Sequence, residues 1–380
     1  MKTKKPDVLI LGGGIIGLAC AHELAKAGVK VELLERRSAG AEASLAAAGM
    51  LAPLAEAPEA GPFFEACRAS RDLWVPWAAA LSEETGLSIE HDTSGALIIA
   101  LDPEEEPRLE ALAAAARALG EPAEEITREA LAHWVPDIAP AVRQALRLSG
   151  EHRVDNVQAC AVLAAAAARA GATLTYGFEV MRVERSGAGG ERVRVTGKSD
   201  IREAARLVLA GGAWSGRIPG LPMLPVRPVR GQMILLTGVD WPWDGSVRGA
   251  GGGFYAVRRG LTGLLIGSTV EEAGFDVHPT LAGIEGLLAF ARGAFPGLAG
   301  AHLETVWAGL RPGTPDDLPF LGPLSGWPAV LAATGHFRNG ILLAPWTARE
   351  VVRMVLDGGP PDIDSDIRSP FSPSRFLLSA

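Results

Sequence analysis

Apolar positions run unbroken through Val8–Leu11, recur at helical spacing from Ile15 to Leu24, and return at Val31, Leu33 and Leu34. The pattern predicts a strand, a glycine turn, a helix stopped at Gly28 and a second strand closing at Glu35, which is one βαβ unit of about 30 residues. Helical spacing returns over residues 63–85 and in "DPEEEPRLEALAAAARALG", which has an acidic start and a glycine stop. "GALIIAL" at 95–101 reads as a strand, whereas "SLAAAGMLAP" is too broken by Gly and Pro to assign. "QACAVLAAAAARAGATLTYGFEVMRVERSG" repeats helix, Gly171 stop and strand, and "RLVLAGGAWSG" is a buried strand entering another glycine turn. From 223 to about 270, strand-like runs such as "GQMILLTG" and "GLLIGSTV" are separated by Gly and Pro clusters. Near the end, "GHFRNG" feeds a helical pattern, "ILLAPWTAREVVRMVL".

The alternation of βαβ material with antiparallel-looking stretches predicts an α/β chain of two interleaved units. Segments 1–85, 150–222 and 300–380 are expected to form a nucleotide-binding unit, and 86–149 with 223–299 a substrate unit. A length of 380 residues suits two units sharing a cleft. No internal repeat is visible.

Composition narrows the partners. Hydrophobic residues make up 48% and charged residues 21%, a globular balance, and a formal charge of -8 disfavours nucleic acid and anionic membrane surfaces. A small-molecule partner is therefore expected. Cys20, Cys67 and Cys160 have no metal-type spacing, and their sparse, odd count points to a reducing cytoplasm. The start "MKTKKP" followed by an apolar run looks like a signal peptide, but the triple glycine and the continuation through His22, Glu23 and Lys26 favour a buried strand and helix.

Gly12, Gly14 and Gly17 form GxGxxG at a strand-to-helix turn. Such glycines permit the tight turn, the approach of backbone to a pyrophosphate, and close packing of the helix. The helix N-terminus offers free N–H groups to phosphate, and Glu35 closes the second strand, where a carboxylate can accept from ribose hydroxyls. NAD and FAD share these features, so the fingerprint leaves both open.

The motifs "LGGGIIGLACAHELAKAG", "LLER", "AAAGML", "AGGAWSG", "WAGLRPGTPDDLPFLG" and "GHFRNGILLAP", in this order, resemble the D-amino-acid oxidase superfamily of FAD-dependent amine oxidases. Within it the chain is most similar to the bacterial glycine oxidases of thiamine biosynthesis, from Val8 to about Thr347. The resemblance implies a Rossmann-like, GR2-type FAD domain interleaved with an α+β substrate domain on an antiparallel sheet. It implies that Ile15, Ile16, Glu35 and Arg36, with the fingerprint glycines, hold the adenosine diphosphate half of a non-covalent FAD. Ala43, Ser44, Ala48, Gly49 and Met50 would line the cofactor, with Val180 on the adenine side and Gly212 in the "AGGAWSG" turn. His336, Phe337, Arg338, Asn339, Gly340, Ile341 and Leu342 would wrap the flavin. Arg311, Arg338 and Tyr255 would meet the substrate. Related sarcosine oxidases attach flavin through a late cysteine, a position for which this chain, whose last cysteine is Cys160, has no candidate. Two departures stand out: Val257-Arg258-Arg259 where a Pro is usual, and Trp346 where a small residue is usual.

The implied reaction is oxidation of glycine, sarcosine or a small D-amino acid by hydride transfer, with oxygen as final acceptor and hydrogen peroxide as product. An amine bound in its neutral form needs no protein base. A flavin dehydrogenase of the same fold that does not use oxygen is the alternative, and a homotetramer is the assembly implied. Read from the residues alone, Arg311 could equally bridge to Asp316 or Asp317, Arg338 could stabilise its loop, Tyr255 could be packing, and His336 could fix its loop by hydrogen bonds.

Overall fold

The computed structural model describes residues 5–135, 137–357 and 369–376. Its first sheet has six strands in the order Phe320–Leu324, Trp327–Thr334, Arg206–Leu209, Val8–Leu11, Val31–Glu35 and Thr173–Tyr176. All neighbours are parallel except the Phe320–Leu324/Trp327–Thr334 pair. Continuous apolar strands of this kind are buried on both faces, and successive side chains here divide accordingly. Val8 and Ile10 pack into the core formed with the helices Ile15–Lys26, Asn156–Arg169 and Ala344–Asp357. Leu9 and Leu11 point the other way, into a core shared with the three-stranded antiparallel sheet Val180–Ser186, Arg192–Gly197 and Ile201–Ala204.

The run that follows Gly171 is therefore not one strand. Gly177, in the left-handed region at φ 75°, turns the chain so that Thr173–Tyr176 closes the first sheet and Val180–Ser186 opens the small one.

The second sheet has eight strands in the order His302–Gly313, Arg227–Thr237, Gly263–Gly267, Tyr255–Arg259, Ser246–Gly249, Ala96–Ile99, Gln144–Leu148 and Ala123–Thr127. Only Ser246–Gly249 with Ala96–Ile99 is parallel among its pairs. The strand His302–Gly313 thus lies in the antiparallel sheet, whereas the sequence pattern assigned everything from 300 onward to the nucleotide unit; it pairs along its length with Arg227–Thr237. Alternation again sorts the faces. Ile234, Leu236, Ala256, Leu264 and Ile266 pack under the helix Leu281–Ala294. Met233, Tyr255, Val257 and Leu265 point to the opposite face and meet Ala48 from the first unit. Tyr255 is thereby committed by register to the surface between the two sheets.

The helix Pro62–Thr85 runs through the predicted 63–85 segment and carries Trp74, which has no solvent exposure, into the first core. No helix among the described residues is long and apolar enough to cross a membrane.

Candidate active site

Between the two sheets lies a cavity. Gly14, Ile15, Ile16, Ala43, Ser44, Ala48, Gly49, Met50 and Gly212 line it from the glycine-turn side. His336, Phe337, Arg338, Asn339, Gly340 and Ile341 line it from the C-terminal loop, and Tyr255 and Arg311 from the second sheet. Residues from both ends of the chain thus share one space.

The glycine turn is shaped for a ligand that approaches backbone. A Cβ on Gly17 would collide with the Gly12 carbonyl, and one on Gly12 with the Ala210 carbonyl, so the helix sits against the turn at a distance only glycine allows. The Gly14 and Ile16 N–H groups have no hydrogen-bond partner among the described residues, and they stand at the positive end of the helix. This fits a pyrophosphate. Glu35 accepts from the Gly13 N–H at 2.7 Å and from the Arg37 N–H at 2.7 Å, which fixes its carboxylate at the strand end. Ser44 Oγ accepts from the Ile15 N–H at 3.0 Å, tying the 43–46 turn to the fingerprint.

Six of the sequence-predicted residues stand outside the cavity lining. Gly12 and Gly17 shape the turn from behind, and Glu35 holds Gly13. Arg36 stacks over Trp214 at 3.9 Å and pairs with Glu42 at 2.5 Å. Val180 begins the three-stranded sheet next to a register irregularity. Leu342 is buried at 1% exposure and anchors the loop through its carbonyl.

That anchoring is dense. Ser70 Oγ donates to the Leu342 carbonyl at 2.6 Å, and Trp74 Nε1 lies 3.1 Å from the carbonyls of both Ile341 and Leu342. Gly335 holds φ 76° and a Cβ there would press on Thr314, so the loop enters through a left-handed residue. Carbonyls fixed from behind leave the N–H groups of Arg338, Gly340 and Ile341 without partners among the described residues, at the cavity wall. The helix itself starts only at Ala344, so these loop amides, and not its first turn, are the donors on offer. His336 Nε2 lies 3.0 Å from Thr347 Oγ1, and burial pushes its pKa down to about 3, so the ring is neutral.

The arginines differ. Arg311 is partly buried, with Nη2 donating to Ser268 Oγ at 2.6 Å and Nη1 to the Thr269 carbonyl at 3.2 Å. It has no carboxylate partner among the described residues, and Asp316 is taken by Arg375. Burial holds its pKa below the usual guanidinium range, with Tyr255 opposing the shift from alongside. Arg338 instead pairs with Glu56 at 2.9 Å, which raises its pKa. Glu56 also takes Arg248 at 2.8 Å; burial opposes its ionisation, but the two guanidinium groups win and hold the carboxyl below its usual range. Tyr255 is 4% exposed, its hydroxyl lying 3.9 Å from the Met233 sulfur and interacting with Arg311.

Sequence reasoning missed Ser268, Met233 and above all Glu56. Glu56 follows the stretch whose Gly and Pro defeated assignment, on the short helix Pro53–Glu56. A carboxylate flanked by alanines in an otherwise apolar stretch was the available signal. The Val257-Arg258-Arg259 departure also has a place: Arg259 Nη2 donates to the Ala48 carbonyl at 2.9 Å and to Asn156, so it clamps the cofactor-side loop to the second sheet.

A family model described as FAD dependent oxidoreductase matches residues 7–354. A glycine oxidase from Pseudomonas aeruginosa is 36% identical over 375 residues, covering 97% of this chain and 99% of that one. The crystal structure of glycine oxidase from Geobacillus kaustophilus superposes with a TM-score of 0.90 at 33% identity, covering 98% of this chain and 99% of that one. The crystal structure of L-proline dehydrogenase from P. horikoshii superposes at 0.82 with 22% identity, over 99% of both chains, a likeness of fold alone.

Proposed function

Because the chain belongs to the FAD dependent oxidoreductase family, we propose that it is a glycine or small-amine oxidase, converting glycine, sarcosine or a small D-amino acid to the oxo acid, ammonia or amine, and hydrogen peroxide. Relatives that align over nearly the full chain include several glycine oxidases, and the dehydrogenase likeness extends only to fold, so the dehydrogenase alternative is not favoured. The observation that carries the reading is Arg311, a guanidinium at the cavity wall with no carboxylate partner among the described residues.

FAD, when bound, supplies the two-electron acceptor and its reoxidation by oxygen. The protein's own residues do the rest. Arg311 takes the substrate carboxylate through two parallel charge-assisted bonds, which orients the alpha carbon, and Tyr255 supports the same carboxylate. Among the described residues lining the cavity, Glu56 is engaged by arginines and His336 is neutral and hydrogen-bonded. Neither is placed as a base, which suits an amine that enters neutral and whose lone pair assists hydride departure. The unpartnered amides at Arg338, Gly340 and Ile341, on the cavity wall, would donate to the bound cofactor and stabilise negative charge on it. Cys20, Cys67 and Cys160 are all buried and burial raises their thiol pKa, so none offers a thiolate for attachment, which supports a cofactor held non-covalently.

Three free, sparse cysteines suit a reducing cytoplasm, and exposed apolar side chains such as Leu281 and Met223 suit a homo-oligomer, which light scattering tests. A role in thiamine synthesis follows from the sequence resemblance. The central experiment is a peroxide assay across glycine, sarcosine, D-alanine and D-proline. Turnover is expected with at least one; a yellow holoprotein inactive on all four sinks the reading.

A further inference from the structure

Behind Glu56 lies a second carboxylate that nothing so far employs. Glu151 is 3% exposed; its Oε1 accepts from the Ala55 N–H at 2.7 Å, and its Oε2 has no hydrogen-bond partner among the described residues. Ala55 belongs to the one-turn helix Pro53–Glu56, so Glu151 holds the backbone immediately before the carboxylate that pairs Arg248 and Arg338. Arg248 has an unsatisfied atom of its own, the buried Nη1, while its Nη2 is on Glu56. One guanidinium with a spare donor therefore stands in the field of two carboxylates, one of them with a spare acceptor.

We infer that Glu151 is a positioning residue for substrate binding: by its hold on Ala55 and its competition with Glu56 for Arg248, it sets how firmly Glu56 engages Arg338 and how much positive charge the substrate carboxylate meets. The inference rests on the oxidase reading above, in which that carboxylate binds at Arg311.

The charges facing Glu151 come from three elements. Arg248 projects from the strand Ser246–Gly249, Glu56 from its short helix, and Arg71 from the helix Pro62–Thr85, where it is already paired with Glu121 at 2.7 Å and Asp72 at 2.9 Å. Burial raises the Glu151 pKa to about 7, against the pull of Arg248 and Arg71. Neighbouring His152 is pushed down to about 4, mainly by burial, and is neutral across the same range. When Glu151 is protonated, Arg248, Arg311 and Arg338 oppose one carboxylate; when it ionises they oppose two. Binding of a carboxylate should weaken as pH rises through that change, and by linkage it should take up a proton.

Acetate is the probe, because it carries the carboxylate and no amine whose own titration would intrude. Its Kd for the FAD-loaded enzyme is read from the flavin absorbance between pH 6 and 8.5, on the preparation used for the peroxide assay. For the wild type, Kd is expected to rise roughly five-fold over that range. Glu151→Gln, which keeps an oxygen for the Ala55 N–H, is expected to bind acetate at the low-pH wild-type strength throughout. A wild-type Kd flat with pH overturns the inference without any variant being needed, and so does a Glu151→Gln profile that parallels wild type. Active enzyme with flat acetate binding refutes the role of Glu151 alone; absence of both turnover and acetate binding refutes the oxidase reading and this inference with it.

Discussion

Arg311 and Arg338 stand 27 positions apart and line one cavity, yet their surroundings are opposites. Arg338 sits against Glu56, which Arg248 also holds, so its charge is answered inside the protein. Arg311 has a serine hydroxyl and a backbone carbonyl, and no paired anion among the described residues. A guanidinium kept this way costs the fold more than a paired one, and a ligand carboxylate relieves that cost on binding. Under the proposed function, the contrast distinguishes a residue that would receive substrate from one that shapes the wall around it, whereas the sequence expectation had both meeting the substrate, with Arg338 also wrapping the flavin.

The contrast breaks most visibly at Arg311. Arg311→Met is expected to lower kcat/KM for the best amine by roughly 100- to 1000-fold, mostly through KM, since a charge-assisted bidentate pair is lost. The same variant should keep its yellow FAD, and its unfolding free energy should be unchanged or higher by up to about 1 kcal/mol, because an unanswered charge is removed. Denaturant unfolding that shows Arg311→Met markedly destabilised would place Arg311 among the structural arginines.

Arg338→Met should show the reverse balance. Activity is expected to fall only about ten-fold, while stability drops by about 1–3 kcal/mol as Glu56 loses one of its two cations. Equal losses of activity in the two variants, at equal stability, would erase the distinction between them.

Much of this was legible in the chain because it rests on local physics. The glycine turn needs only Gly12 and Gly17, whose side-chain-free contacts the backbone dictates, and the Val8–Leu11 run announces a strand buried on both faces. The second sheet was legible as a set of strands but not in its membership: nothing local tells His302–Gly313 to pair with Arg227–Thr237 instead of joining the parallel sheet beyond it. The Glu56 pairing was hidden for a related reason. Its partners Arg248 and Arg338 lie 192 and 282 residues away, and only the packing of two sheets brings them to it.

A pH-dependent difference follows from Glu151. Its folded pKa, about 7, lies above the ordinary carboxyl value of 4.5, so the native state binds more protons between those limits and stability falls as pH rises from about 4.5 to 7. Glu151→Gln removes that slope. The variant should lose stability relative to wild type least, or gain it most, above pH 7, and parallel wild-type and variant stability curves over pH 4.5–8 would show that Glu151 does not titrate there.

The smallest effect tests the loop that the arginine contrast takes for granted. His336 is neutral and reaches Thr347 Oγ1 at 3.0 Å, tying the loop to the first turn of the helix Ala344–Asp357. Thr347→Val keeps the shape and deletes the hydroxyl, leaving one ring nitrogen of a buried histidine unanswered, at a cost of about 1–2 kcal/mol. Since the carbonyls of Ile341 and Leu342 remain fixed by Ser70 and Trp74, the loop amides should stay in place and FAD affinity should weaken no more than about three-fold. A far larger loss of FAD with unchanged acetate affinity would mean that His336, and not the Ser70–Trp74 anchor, governs where those amides point.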